Sequence, residues 1–72
     1  MVHKINPRKL LNSKWTAISP QHKEKHFIVS EVEFDEEGRI TLCIIEAVMT
    51  KRAIEVDWRT LKEGDMWKVG WR

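Results

Sequence analysis

Residues 26–34 read HFIVSEVEF, residues 35–38 read DEEG and residues 39–49 read RITLCIIEAVM, and this stretch decides the fold. Its first segment is rich in β-branched and aromatic residues, which suit a pleated, half-buried strand. Ile28, Val32 and Phe34 share one parity and Glu31 and Glu33 the other, the alternation of a strand with one apolar and one polar face. Asp35-Glu36-Glu37-Gly38 is a turn that ends on the residue best suited to a left-handed position. In the third segment Ile40, Leu42, Ile44 and Val48 alternate with Thr41, Cys43, Ile45 and Ala47. Its apolar character on both sides from Cys43 to Ile45 predicts a strand central in a sheet, or curled so that both faces are covered. The whole is a β-hairpin.

Beyond the hairpin, residues 50–53 read as a second tight connection. Residues 54–58 (IEVDW) alternate as a short strand with Ile54, Val56 and Trp58 on one face. Residues 59–63 (RTLKE) lack alternation and predict one helical turn, stopped by Gly64-Asp65. Residues 66–71 (MWKVGW) form a last strand in which Trp67, Val69 and Trp71 share a face and Gly70 marks a bulge or close backbone approach. Towards the N-terminus, Asn6-Pro7 is a helix start, with Asn as cap and Pro in the first helical position. A single turn over Arg8 to Leu11 then needs Leu10 and Leu11 to dock on the sheet. Residues 14–18 (KWTAI) alternate as a first strand, and residues 19–25 read as a polar loop around Pro20. The expected fold is mainly β: a small, strongly bent five-stranded antiparallel sheet or SH3-like barrel with short helical turns. The alternative is an open β-meander with an N-terminal helical turn. Residues 1–72 make one domain, of which residues 1–5 are expected to be disordered.

Composition narrows the class. The chain has 72 residues, four Trp, no Tyr and one Cys, and its 13 Lys and Arg against 11 Asp and Glu give a net charge of +2. There is no room for two domains, and one Cys excludes an intramolecular disulfide scaffold or a Cys-based zinc finger. No apolar run approaches the ~18 residues of a membrane-spanning helix, and the N-terminus lacks the apolar region of a signal peptide. A cytoplasmic protein in a reducing compartment is expected. A domain this short buries only about 60% of the surface its unfolded chain exposes. Four large Trp side chains therefore have a use in the core that needs no ligand.

The small net charge conceals segregation: residues 1–26 sum to +5, residues 27–50 to −5 and residues 51–72 to +2. Five of the six acids in the middle segment cluster around the hairpin turn, where they solvate it.

Five segments carry a family resemblance: NPRKLLNSKWTA from Asn6, KEKHFIV from Lys23, EAVMTKR from Glu46, DWRTLKEGDMW from Asp57 and VGW from Val69. Together they closely resemble a family of short tryptophan-rich bacterial proteins known as a domain of unknown function. The resemblance runs from about Asn6 to Trp71. It implies a free-standing small bacterial protein and carries over no catalytic residue, cofactor or partner.

Each Trp stands beside a cation: Trp15 with Lys14, Trp58 with Arg59, Trp67 with Lys68, Trp71 with Arg72. Aromatic faces that stack unpaired bases, with Lys or Arg on the phosphates, make a single-stranded nucleic-acid surface. Strand alternation instead sends ring and neighbouring charge to opposite faces. By parity Trp58 and Trp67 belong to the core, whereas Trp15 and Trp71 lie where exposure is expected. The candidate binding surface is therefore Arg8, Lys9, Lys14, Trp15, Lys25 and Trp71, to which Lys23, His22 and His26 add if the N-terminal turn and the long loop lie side by side.

Other chemistry finds little support. His22 and His26 have a helical ligand spacing, but the segment runs into a strand and offers only Glu24 as a third group, so no metal is expected. Cys43 lies among apolar neighbours, where a Cys packs rather than reacts. Glu46 shares parity with Ile44 and Val48. If that parity faces the core it is a buried acid needing Lys51, Arg52 or Arg59; otherwise it lies at an exposed strand end. No nucleophile triad, phosphate loop or glycine-rich cofactor motif is present. The expected function is a non-catalytic binding or adaptor module without a cofactor, not an enzyme, recognising a protein partner or single-stranded nucleic acid, with no membrane association. The alternative is a structural protein that self-associates through a free strand edge near residues 66–71, as a monomer or weak homodimer.

Overall fold

The computed structural model describes residues 6–21 and 23–72. The disorder expected of residues 1–5 and the role weighed for His22 lie outside the described residues. Five strands form one open antiparallel sheet: β1 (Lys14–Gln21), β2 (Glu24–Phe34), β3 (Ile40–Ala47), β4 (Ala53–Glu55) and β5 (Trp67–Val69). The spatial order is β4-β3-β2-β1-β5. Helical structure among the described residues consists of two 3-10 turns, Pro7–Lys9 and Trp58–Lys62. The mainly β, five-stranded antiparallel sheet with short helical turns is thus what the chain builds.

Local chemistry explains most boundaries. The hairpin turn is closed by Asp35, whose carboxylate accepts the backbone N–H of Glu37 at 2.9 Å and of Arg39 at 2.8 Å. These bonds, that of Arg39 first, hold the Asp35 carboxyl below its ordinary range. Gly38 supplies the left-handed residue at φ +81°. Asn6 caps the first 3-10 turn by accepting the Arg8 N–H at 3.0 Å, and Asp57 caps the second by accepting the Arg59 N–H at 3.0 Å. The loop expected over residues 19–25 is a correction: β1 continues to Gln21 and β2 begins at Glu24.

The parity expected for β2 is also corrected. Its buried residues are Phe27 and Val29, while Ile28 is only partly covered. Val29 pairs with Ile45 but Glu31 pairs with Ile44, so β2 carries one extra residue, Ser30. A bulge reverses the alternation. Phe27 and Val29 face inward before it, and Val32 packs against the core after it. On β3 the inward parity is Cys43, Ile45 and Ala47. Glu46 therefore points to the other, outer face.

The core sits on the inner face and is closed by Leu10 beside the first 3-10 turn and Leu61 within the second. Trp15 is also there, 2% exposed. Its indole N–H donates to Ser13 Oγ at 2.8 Å, which satisfies the ring's one donor. Trp15 thus leaves the candidate surface, because β1 turns Trp15 and Ala17 inward and Lys14 and Thr16 outward. Trp58 and Trp67 are partly buried and pack against the core, Trp67 edge-on to Phe27 with centroids 5.3 Å apart.

Candidate functional site

The outer face of the sheet can be read row by row, because directly paired residues on antiparallel strands point the same way. Lys68 of β5, Thr16 of β1 and His26 of β2 form one row. Lys14, Ile28, Glu46 and Ala53 form the next. Glu31, Ile44 and Glu55 follow, and Glu33 with Leu42 lies beyond. The sequence segregation of charge becomes a spatial one: cations gather at the β1 and β5 side, and four glutamates occupy the far part of the same face.

At the cationic side the chain after β5 turns over the sheet. Gly70 takes φ +81°, and its carbonyl accepts the Thr16 hydroxyl at 2.6 Å. Thr16 Oγ1 in turn accepts the backbone N–H of Arg72 at 3.0 Å. This strap buries Thr16, a polar side chain on the outer face. It also lays Trp71 across the surface, 44% exposed, with its indole N–H donating to the Phe27 carbonyl at 3.0 Å. Lys14 Nζ lies 4.8 Å from the Trp71 ring centre, within cation–π range. The His26 ring is tilted 42° to Trp71 at 6.1 Å, and its Nε2 lies 3.0 Å from the Arg72 carbonyl.

Of the six residues expected on a binding surface, the structure brings Lys14 and Trp71 together. Lys25 is exposed on β2, one residue before His26. Arg8 and Lys9 are exposed on the first 3-10 turn, whose Pro7 borders a different hollow, beside Trp58. Thr16, Lys68 and Arg72 are members absent from the candidate surface read from the sequence, to which His26 belongs as a conditional addition. The available signal is Gly70, whose left-handed turn redirects Trp71 from the alternation of β5.

Two further features lie away from Trp71. Glu24 is a buried acid, 4% exposed. Arg52 grips it through two nitrogens, Nε at 3.1 Å from Oε2 and Nη2 on Oε1, and the Thr50 hydroxyl also donates to Oε2. Arg52 is thus the partner of a buried glutamate, but of Glu24 rather than Glu46. The second feature is a groove of about 460 Å³ between β3 and the segment leaving β4, lined by residues that include Leu42, Glu55, Trp58 and Arg59. Lys62 Nζ stands 4.4 Å from the Trp58 ring centre, and Arg59 pairs with Asp57 at 3.2 Å. That pair, with the Arg59 backbone bond, holds the Asp57 carboxyl below its ordinary range.

Burial, with a smaller push from the Asp57 carboxylate, raises the Cys43 thiol from 9.0 to about 11, so at neutral pH it is a protonated packing group. Among the described residues no three His, Cys, Asp or Glu side chains converge on a common point, and no helix is long and apolar enough to cross a membrane.

No curated protein and no solved structure matches the chain. A family model does, over residues 13–72, and by that match the chain belongs to the tryptophan-rich protein family DUF2389, a domain of unknown function.

Proposed function

We propose that this protein is a non-catalytic binding module of the bacterial cytoplasm that holds single-stranded nucleic acid at the Trp71 end of its outer face. The observation that supports this reading is the half-exposed Trp71 ring, pinned through its indole N–H and set beside Lys14, His26 and Arg72. A fixed aromatic ring stacks a base without ordering cost, and the surrounding cations neutralise phosphates. The glutamates on the far part of the face repel phosphate and confine a strand to the β1 and β5 side. The strand order, with a 3-10 turn between β4 and β5, supports an SH3-like reading of the sheet, a fold that by itself specifies no ligand.

Fluorescence anisotropy with a labelled 12-nucleotide single strand tests it. Three cations (Lys14, Lys68 and Arg72) predict a salt slope of about −2 and hence about a 20-fold loss of affinity between 50 and 200 mM salt. Trp71→Ala is expected to weaken binding about tenfold, in line with the loss of one stacked base. Absence of binding at 20 mM salt, or binding indifferent to Trp71→Ala, rejects the reading and leaves a protein partner for this surface.

A further inference from the structure

β4 pairs with β3 only from Ala53 to Glu55, opposite Glu46 to Ile44. The last bond between them is Val56 N–H to the Cys43 carbonyl at 2.9 Å. β3 begins earlier, at Ile40, and its Ile40–Leu42 stretch keeps β2 on one side, with a register shift at Thr41, while the described residues place no strand on the other. The groove of about 460 Å³ opens along this uncovered edge and reaches Trp58 and Arg59. Past Trp58 it meets the second hollow, of about 410 Å³, bordered by Pro7, Gly38 and Arg39. A strand edge facing a groove presents main-chain donors and acceptors ready to pair with an added strand.

We infer that the uncovered edge of β3 at Ile40–Leu42 receives an extended peptide of a partner protein, which adds as a strand between β3 and Trp58 and alternates basic with apolar side chains. Charge sets the basic half of that alternation. Glu55 lines the groove on the outer face, with Glu31 and Glu33 on β2 one strand further in, and Arg59 pairs with Asp57 rather than with Glu55. Outward side chains of an added strand meet Glu55 first. Its inward side chains meet Trp58 and Val56, which are only partly buried. The same carboxylate disfavours a nucleic-acid strand here, so the two ends of the sheet suit partners of different class.

The probe is an acetylated, amidated hexapeptide of alternating Lys and Val, titrated into the ¹⁵N-labelled protein. Amide shifts are expected at residues 40–43 and 55–59 and at the Trp58 indole. N-methylation of alternate peptide amides removes the added ladder and should weaken binding about fivefold or more. Glu55→Lys, at an exposed position, should weaken it about two- to fivefold. Trp71→Ala should leave it unchanged, which separates this site from the nucleic-acid surface. Shifts centred on Lys14 and Trp71, equal binding of an alternating Glu–Val hexapeptide, or indifference to N-methylation would each overturn the inference. Sedimentation showing copies of the protein already joined through this edge would overturn it too.

Discussion

The Lys14 ammonium stands 4.8 Å from the centre of the Trp71 ring, so the first residue of β1 and a residue beyond β5 share one contact on the outer face. The contact is one of several that hold the strap down. Trp71→Ala removes the indole bond to the Phe27 carbonyl. A half-buried Trp with one hydrogen bond contributes about 2 kcal/mol, so urea unfolding of Trp71→Ala should show a loss of that order. Trp71→Phe, which keeps a ring but loses the donor, should cost about half as much. Lys14→Met should leave stability nearly unchanged while weakening oligonucleotide binding.

The strap turns on Gly70. A methyl group there would meet no atom within 4 Å, so any cost of substitution is conformational rather than steric. At φ +81° an L-residue is strained by about 1–2 kcal/mol. Gly70→Ala should lower stability by that amount. D-alanine at the same position, introduced by chemical synthesis, fits the positive φ and restricts the unfolded chain, and should raise stability by about 0.5–1 kcal/mol. Equal effects of the two enantiomers would contradict the geometry.

Glu24 is buried and Arg52 is not, which makes their substitutions unequal. Glu24→Gln removes a charge that has to be desolvated and leaves Arg52 free to meet water, a loss of about 1–3 kcal/mol. Arg52→Met leaves a carboxylate buried with the Thr50 hydroxyl, and should be the worse of the two. The double variant Glu24→Leu/Arg52→Met removes both charges and should recover much of the loss. Thermal unfolding of the four proteins checks the order; a double variant as unstable as Arg52→Met alone would contradict it.

The legible and illegible parts of the sequence differ in range. The central hairpin is readable because its turn is local: Asp35 and Gly38 act within five residues. The caps Asn6 and Asp57 are equally local, although only the first is expected as one from the sequence. Trp15 is misplaced by its distance from the chain centre, which suggests exposure, whereas β1 lies between β2 and β5 and is an interior strand. The charge segregation is visible as numbers along the chain. The meeting of Lys14, Thr16, His26 and Arg72 around Trp71 is not, since it depends on β5 pairing with β1 from the other end of the sequence.

Cys43 couples stability to alkaline pH. Its folded thiol titrates at about 11 against 9.0 when free. An acid whose pKa is raised by folding binds its proton more tightly in the native state. Its contribution is fully present below pH 9 and is lost as pH rises from 9 towards 11. The loss runs at no more than ~1.4 kcal/mol for each pH unit. The stability of Cys43→Ala relative to the parent should therefore improve across that window. At pH 8 a thiol reagent should label the native parent far more slowly than the urea-unfolded chain, and rapid native labelling would contradict the buried thiol.

Ser30 is the extra residue between the two halves of β2. It lets Phe27 and Val29 face inward before the bulge and Val32 after it. Deleting it would make Val29 and Val32 residues i and i+2 of a regular strand, both still facing inward opposite Ile45 and Cys43, since side chains two residues apart share a face. The deletion should therefore preserve cooperative unfolding, and its loss would contradict a bulge at Ser30. Point substitutions test the facing of the strand directly. Val29→Ala, at a fully buried position, should cost about 2 kcal/mol. Ile28→Thr, one residue earlier on the outer face, should cost less than about 1 kcal/mol beyond the small area it covers. The reverse ranking would mean that β2 follows the parity of its sequence, with no bulge at Ser30.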